Sequence, residues 1–185
     1  MEVFVFDLDF TIWNAGDTFC SETSPPYFWN DEQLFDQQGR WIRLYPDSVG
    51  ILKRLKKAGK ILAVASRTNE PEWAKQLLQL FDIEKYFDIM EIYPGSKVTH
   101  LKNIQEKVGC PFDQIVFFDD EERNIQEVSL TGVKCVYVKN GLSFNYTSLK
   151  KGHYKKGLKN IKQKIGYFQT NNIKSERPGK SFLRF

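Results

Sequence analysis

The chain has 185 residues, 41% of them hydrophobic and 27% charged, a globular composition that excludes a disordered polymer, a collagen and a disulfide-stapled miniprotein and leaves room for one domain with appendages. Two histidines (His100, His153) and three cysteines without a CxxC pair (Cys20, Cys110, Cys135) rule out a multi-histidine zinc site, so a catalytic metal is expected on oxygen ligands. The net charge of +4 hides a division, because residues 150–185 hold 11 Lys or Arg against the single acid Glu176, a balance of +10 that leaves −6 on residues 1–149.

The odd cysteine count fits reduced thiols better than a secreted disulfide framework. No apolar run approaches the ~18 residues of a membrane span, and Met1 to Phe6 carry an acid where a signal peptide needs basic charge. A soluble, cytoplasmic protein without membrane association is expected.

In chain order, five near-continuously apolar runs predict strands covered on both faces: Val3 to Phe6, Ile61 to Ala65, Ile89 to Tyr93, Ile115 to Phe118 and Cys135 to Val138. Between them lie helices with start and stop chemistry. Asp47 is the expected N-cap of Ser48 to Ala58, with Gly59 as the stop; Thr68 or Asn69 is expected to cap the next, with Pro71 in its first turn. Ser96 opens a third that ends at Gly109, and Glu121 to Leu130 forms a fourth before Gly132. This alternation predicts an α/β fold with a doubly wound, parallel, five-stranded sheet. From Phe10 to Pro46 the rhythm breaks, aromatic residues crowd in, and Asp36-Gln37-Gln38-Gly39 reads as a hairpin turn, so a small β-flap is expected in place of a large cap domain. Trp13 and Trp29 in the flap are candidate substrate contacts. The domain is expected to span residues 1–147, followed by a basic amphipathic helix over 148–168, through Leu158, Ile161, Ile165 and Phe168, and a mobile basic tail over 169–185.

Ligands of doubly wound sheets bind beyond the carboxyl ends of the strands. There the first strand is followed by Asp7 and Asp9, which an extended segment points the same way, and by Thr11; the second ends in Ser66-Arg67-Thr68. The third leads to Lys97 at a helix start, where a cation opposes the helix dipole unless an anion binds there, and the fourth ends in Asp119-Asp120. Four such sites, holding acids, a hydroxyl and one lysine, thus converge on one edge of one sheet.

The series Asp7-x-Asp9-x-Thr11, Ser66, Lys97 and Asp119-Asp120, in that order and at strand ends, resembles the four motifs of the haloacid dehalogenase superfamily. The strings Phe6-Asp7-Leu8-Asp9-Phe10-Thr11-Ile12-Trp13, Ala65-Ser66-Arg67-Thr68, Tyr93-Pro94-Gly95-Ser96-Lys97 and Phe118-Asp119-Asp120-Glu121 look like its magnesium-dependent phosphatase (acid phosphatase) family, over roughly residues 1–145 and not the basic tail. The resemblance implies an aspartyl-phosphate mechanism. Asp7 would be the nucleophile and a Mg²⁺ ligand, Asp9 the general acid and then base, with its backbone carbonyl on the metal, and Asp120 the third protein ligand. Ser66 and Lys97 would bind the phosphoryl group, Asp119 would hold Lys97, and Thr11 and Arg67 would support the phosphate site. The implied substrates are a phosphoprotein of phosphotyrosine type or a small sugar phosphate. Two other readings compete: a receiver-like phospho-Asp signalling domain, whose motif order differs, and a nucleic-acid end phosphatase using the basic tail. Oligomeric state is not legible. His100, three residues after Lys97, is read as a satisfied surface or packing residue outside the site.

Overall fold

The computed structural model describes residues 2–147; the expected helix over 148–168 and the tail over 169–185 lie outside the described residues. Nine strands appear among those described: β1 (Val3–Phe6), β2 (Trp13–Asn14), β3 (Phe28–Asn30), β4 (Gln33–Phe35), β5 (Trp41–Leu44), β6 (Ile61–Ser66), β7 (Ile89–Ile92), β8 (Ile115–Asp119) and β9 (Lys134–Tyr137). The helices described are α1 (Ser48–Lys57), α2 (Pro71–Leu80), α3 (Lys97–Val108), α4 (Glu122–Ser129) and the single turn α5 (Phe144–Thr147). None is long and apolar enough to cross a membrane.

β1 is buried along its whole length because it is the central strand, hydrogen-bonded in parallel to β6 on one side and β8 on the other. The full parallel sheet runs β7-β6-β1-β8-β9. Numbering only these five strands along the chain gives the order 3-2-1-4-5, which reverses direction at β1; that reversal opens the crevice where doubly wound sheets place ligands. Ile51 and Leu52 of α1, Leu77 and Leu78 of α2, Leu101 and Ile104 of α3, and Ile125 and Val128 of α4 are the buried stripes that hold the helices to the sheet.

The flap is a four-stranded antiparallel sheet, β2-β5-β4-β3. Its tight turn depends on Asp36, whose buried carboxylate accepts from the backbone N–H groups of Gln38 (2.9 Å), Arg40 (2.8 Å) and Ser24 (3.0 Å). The hairpin is therefore held by an acid as well as by the left-handed Gly39 (φ 77°).

Two expected helix caps differ. Asp47 makes no capping bond; its Oδ2 accepts from Phe144 N–H (3.1 Å), so a contact distant in sequence displaces the local one. The residue before α2 is Glu70, also without a side-chain cap, while Thr68 Oγ1 accepts from Glu70 N–H at 3.2 Å one turn earlier. Ser96 does cap α3, accepting from Thr99 N–H, and Gly109 closes it in the left-handed region (φ 70°).

Candidate active site

Asp7 is the first residue past β1, and its backbone N–H donates to Phe118 O (2.9 Å), which ties the start of the loop to β8. The chain then turns sharply: the N–H groups of Thr11, Ile12 and Trp13 all point at Leu8 O, with Phe10 left-handed at φ 56°. This turn returns Trp13 beneath Asp9. The Asp9 Oδ1 accepts from Trp13 Nε1 (2.7 Å) and from Cys20 N–H (2.9 Å). Burial raises the Asp9 pKa above the ordinary carboxylate range, and those two donors oppose the rise without cancelling it.

Lys97, 1% exposed, reaches from the first turn of α3 between three oxygens: Asp7 Oδ1 (2.5 Å), Ala65 O (2.5 Å) and Asp119 Oδ2 (3.0 Å). Burial works against its charge, but the two carboxylates outweigh burial and hold the ammonium above the ordinary lysine range. Asp119 is fully engaged, since both its oxygens also accept from Asn124 Nδ2 (3.0 and 3.1 Å) and Oδ1 accepts from Glu121 N–H (2.8 Å). Its Oδ2 is the second carboxylate oxygen against the Lys97 ammonium.

Carboxylate oxygens of Asp7, Asp119 and Asp120 lie within 4.8 Å of one another. Burial, with Asp119 beside it, pushes Asp120 up to about 6; burial, reinforced by Asp119 and Asp9 and opposed by Lys97, pushes Asp7 up as well. Crowded, desolvated carboxylates of this kind suit a hard divalent cation on oxygen. With Asp119 taken by Lys97 and Asn124, Asp7 and Asp120 are the side chains left to hold it.

These residues face a cavity of about 220 Å³. Ser66, Arg67, Asn69 and Arg123 line it together with Phe19 and Ser21 of the flap. Arg67 donates to Asn124 Oδ1 (3.1 Å), which braces it against α4. Thr11 is not part of the wall; it is buried in the turn, and its Oγ1 is the one buried side-chain polar atom among the described residues with no hydrogen bond. Neither flap tryptophan lines the cavity. Trp13 is fully buried, and Trp29 meets Phe81 edge to face at 5.8 Å.

Three participants escape sequence reasoning. Asn124, one helical turn past the acid cluster, carries no motif. Trp13 and Cys20 N–H act through a turn whose return path the sequence does not display. His100 is fully buried and braces the Lys97 loop: its ring stacks on Tyr93 (4.2 Å), and its nitrogens lie 2.6 Å from Ser96 O and 2.9 Å from Tyr93 O.

A lysine-centred, acid-lined cavity thus lies at the sheet's reversal point, beside a small flap. A family model described as acid phosphatase matches residues 1–164. The chain is 48% identical over 147 residues to Magnesium-dependent phosphatase 1 of Homo sapiens, covering 78% of this chain and 81% of that protein. It is 36% identical over 159 residues to a HAD-like hydrolase superfamily protein of Schizosaccharomyces pombe, covering 80% and 92%. A crystal structure described as a predicted phosphatase from Clostridium acetobutylicum superposes with a TM-score of 0.59 at 17% identity, covering 80% and 89%, and speaks for the fold alone. The chain belongs to the acid phosphatase family of the haloacid dehalogenase superfamily.

Proposed function

We propose that this chain is a Mg²⁺-dependent phosphomonoester hydrolase that works through an aspartyl-phosphate on Asp7, with phosphotyrosine-type or small sugar phosphates as substrates. The observation that carries the reading is the Asp7–Lys97–Asp119 bridge: a buried ammonium fixes one oxygen of Asp7, a residue that lines the cavity. Magnesium dependence follows the named relative at 48% identity and the donor set described above. Mg²⁺ on Asp7, Asp120 and the Asp9 backbone carbonyl would neutralise charge on the phosphoryl group as the nucleophile approaches.

The chain's own residues supply the rest. The Asp7 carboxylate forms a bond to phosphorus while the ester P–O bond breaks; its electron pair stays on the leaving oxygen, which takes the proton of the Asp9 carboxylic acid. In the second half Asp9, now a carboxylate, takes a proton from water, whose oxygen bonds phosphorus as the Asp7 ester breaks. Ser66 holds a phosphoryl oxygen, while Lys97, its three N–H groups spent on Asp7, Ala65 and Asp119, acts by its charge on Asp7 and on the phosphoryl group beside it. At about 220 Å³ the cavity falls below the ~300–1,000 Å³ that encloses drug-sized ligands, so it suits a phosphoryl group and one ring, with the remainder of a larger substrate outside.

A receiver-like switch fits less well. Its sheet follows the order 2-1-3-4-5, against 3-2-1-4-5 here. The test is hydrolysis of phosphotyrosine peptides, sugar phosphates and nucleotides with and without Mg²⁺, with acid-quench trapping of the phosphoenzyme. Asp7→Asn should lower turnover by about 10³-fold or more and abolish trapping. Retention of both in a folded, metal-binding variant would falsify the assignment.

A further inference from the structure

We infer that Trp13 is a positioning residue for the general acid: its indole N–H, together with the Cys20 N–H, clamps one oxygen of Asp9 so that the other is the oxygen that carries the proton to the leaving group. The inference rests on the proposed reaction and deepens it.

The geometry is one-sided. Both donors reach the same atom, Oδ1, at 2.7 Å from the indole and 2.9 Å from the amide. An oxygen that already accepts two N–H bonds has no room to carry a proton of its own, since that proton would point at a donor. Oδ2 is placed differently. It accepts neither N–H; the Cys20 thiol is a further, weaker donor to the carboxylate, and Asp9, only 7% exposed, lines the cavity beside Asp7, Ser66 and Lys97. The two N–H bonds therefore lock the carboxyl group about its last torsion, and Oδ2 is the oxygen left to protonate the departing ester oxygen. Carboxyl torsions are broad when unconstrained, and proton transfer needs a reach of ~2.6–3.2 Å. An unclamped Asp9 would spend much of its time turned away.

Both clamps belong to the flap. Trp13 begins β2, which pairs with β5 through Leu44, and Cys20 lies in the single turn of 3-10 helix over Cys20–Glu22. Trp13 itself is fully buried, so its N–H has no water to fall back on, and losing Asp9 as acceptor would strand it. The flap thus seats the acid as well as bounding the cavity.

The test deletes the N–H and keeps the ring. Trp13→Phe is compared with the parent and with Asp9→Asn on two Mg²⁺-loaded substrates, 4-nitrophenyl phosphate, whose leaving group needs little protonation, and an alkyl phosphate, whose leaving group needs it fully. The clamp predicts that kcat on the alkyl ester falls at least about tenfold further than on the activated ester, in the same direction as Asp9→Asn and by less. Equal losses on both esters, or none on either, would overturn the inference in favour of simple packing. If Trp13→Phe does not fold, the indole N–H resonance of Trp13 decides, read in ¹⁵N-tryptophan-labelled parent protein: it should sit downfield and move on Asp9→Asn, and an unmoved signal overturns the clamp. Failure of the reaction itself is separate, because it would appear as activity independent of Asp7 in the parent.

Discussion

Removing the Asp119 carboxylate tests whether the ionic bridge under the site is structural as well as chemical. Asp119→Ala leaves Lys97, 1% exposed, with Asp7 as its one remaining carboxylate, strips the acceptor from the Glu121 N–H, and leaves the Asn124 amide with Glu121 Oε2 in place of the two Asp119 oxygens. Breaking a buried pair by deleting one partner costs about 3–5 kcal/mol, while replacing both charges by apolar groups is often neutral or stabilising. The lost hydrogen bonds add to that cost, but they share partners with the ion pair, so the contributions are not additive. We expect Asp119→Ala to lower unfolding stability by about 3–5 kcal/mol and Lys97→Met in the same background to recover about half or more of it. Urea titration followed by tryptophan fluorescence, in EDTA so that bound metal adds nothing, gives both numbers if m stays constant. A loss below about 1 kcal/mol, or no recovery in the double variant, would refute the reasoning.

Asn124→Leu should cost about 1–3 kcal/mol, the penalty of leaving buried acceptors short of a donor, and should lower kcat more than it raises KM, read by steady-state kinetics, because its amide holds Asp119 at both oxygens. Glu91 governs an acid limb of the stability curve. Burial works to raise its pKa, but Lys107, Tyr93 and Asn103 outweigh burial and lower it. A depressed carboxylate contributes stability above its unfolded pKa, about 4.3 for glutamate, and loses it as pH falls through the lower folded value. Glu91→Gln should flatten that limb in thermal melts from pH 6 to 3. Gly141→Ala should destabilise by about 1 kcal/mol or more, measured by thermal melting with activity intact at low temperature, because Gly141 is left-handed (φ 77°) and an added Cβ would meet the Tyr45 ring 2.1 Å away.

What the sequence disclosed divides along physical lines. The strands of the parallel sheet were legible because strands covered on both faces need continuous apolar runs, and β1 and β8 are buried at every position. The motif acids and Lys97 were legible because their chemistry and their place at strand ends coincide. Strand order was not, since nothing in the runs says which neighbours pair. The cap assigned to Asp47 failed for the same reason: a distant N–H, that of Phe144, competed for its carboxylate. Trp13 is a candidate substrate contact by sequence, whereas a turn with three N–H groups on Leu8 O buries it and aims its indole at Asp9. Hydrophobic patterning marks where a side chain goes, but the direction of its one polar atom is set by the backbone path.

The bridge through Lys97 also proofreads the order of the central strands. Asp7 and Lys97 are 90 residues apart, and Asp119 arrives only with β8, so a chain leaving the ribosome can close its flap from residues 13–44 long before the bridge can be completed. A one-residue slip of β8 against β1 would turn Asp119 to the opposite face and offer Lys97 a phenylalanine or an outward-facing acid. Such a mispaired sheet would still satisfy its backbone ladder and bury much of its apolar surface. With a phenylalanine in that place the buried Lys97 would keep Asp7 alone as its carboxylate, a fault that the apolar runs cannot detect and that the missing second charge makes costly.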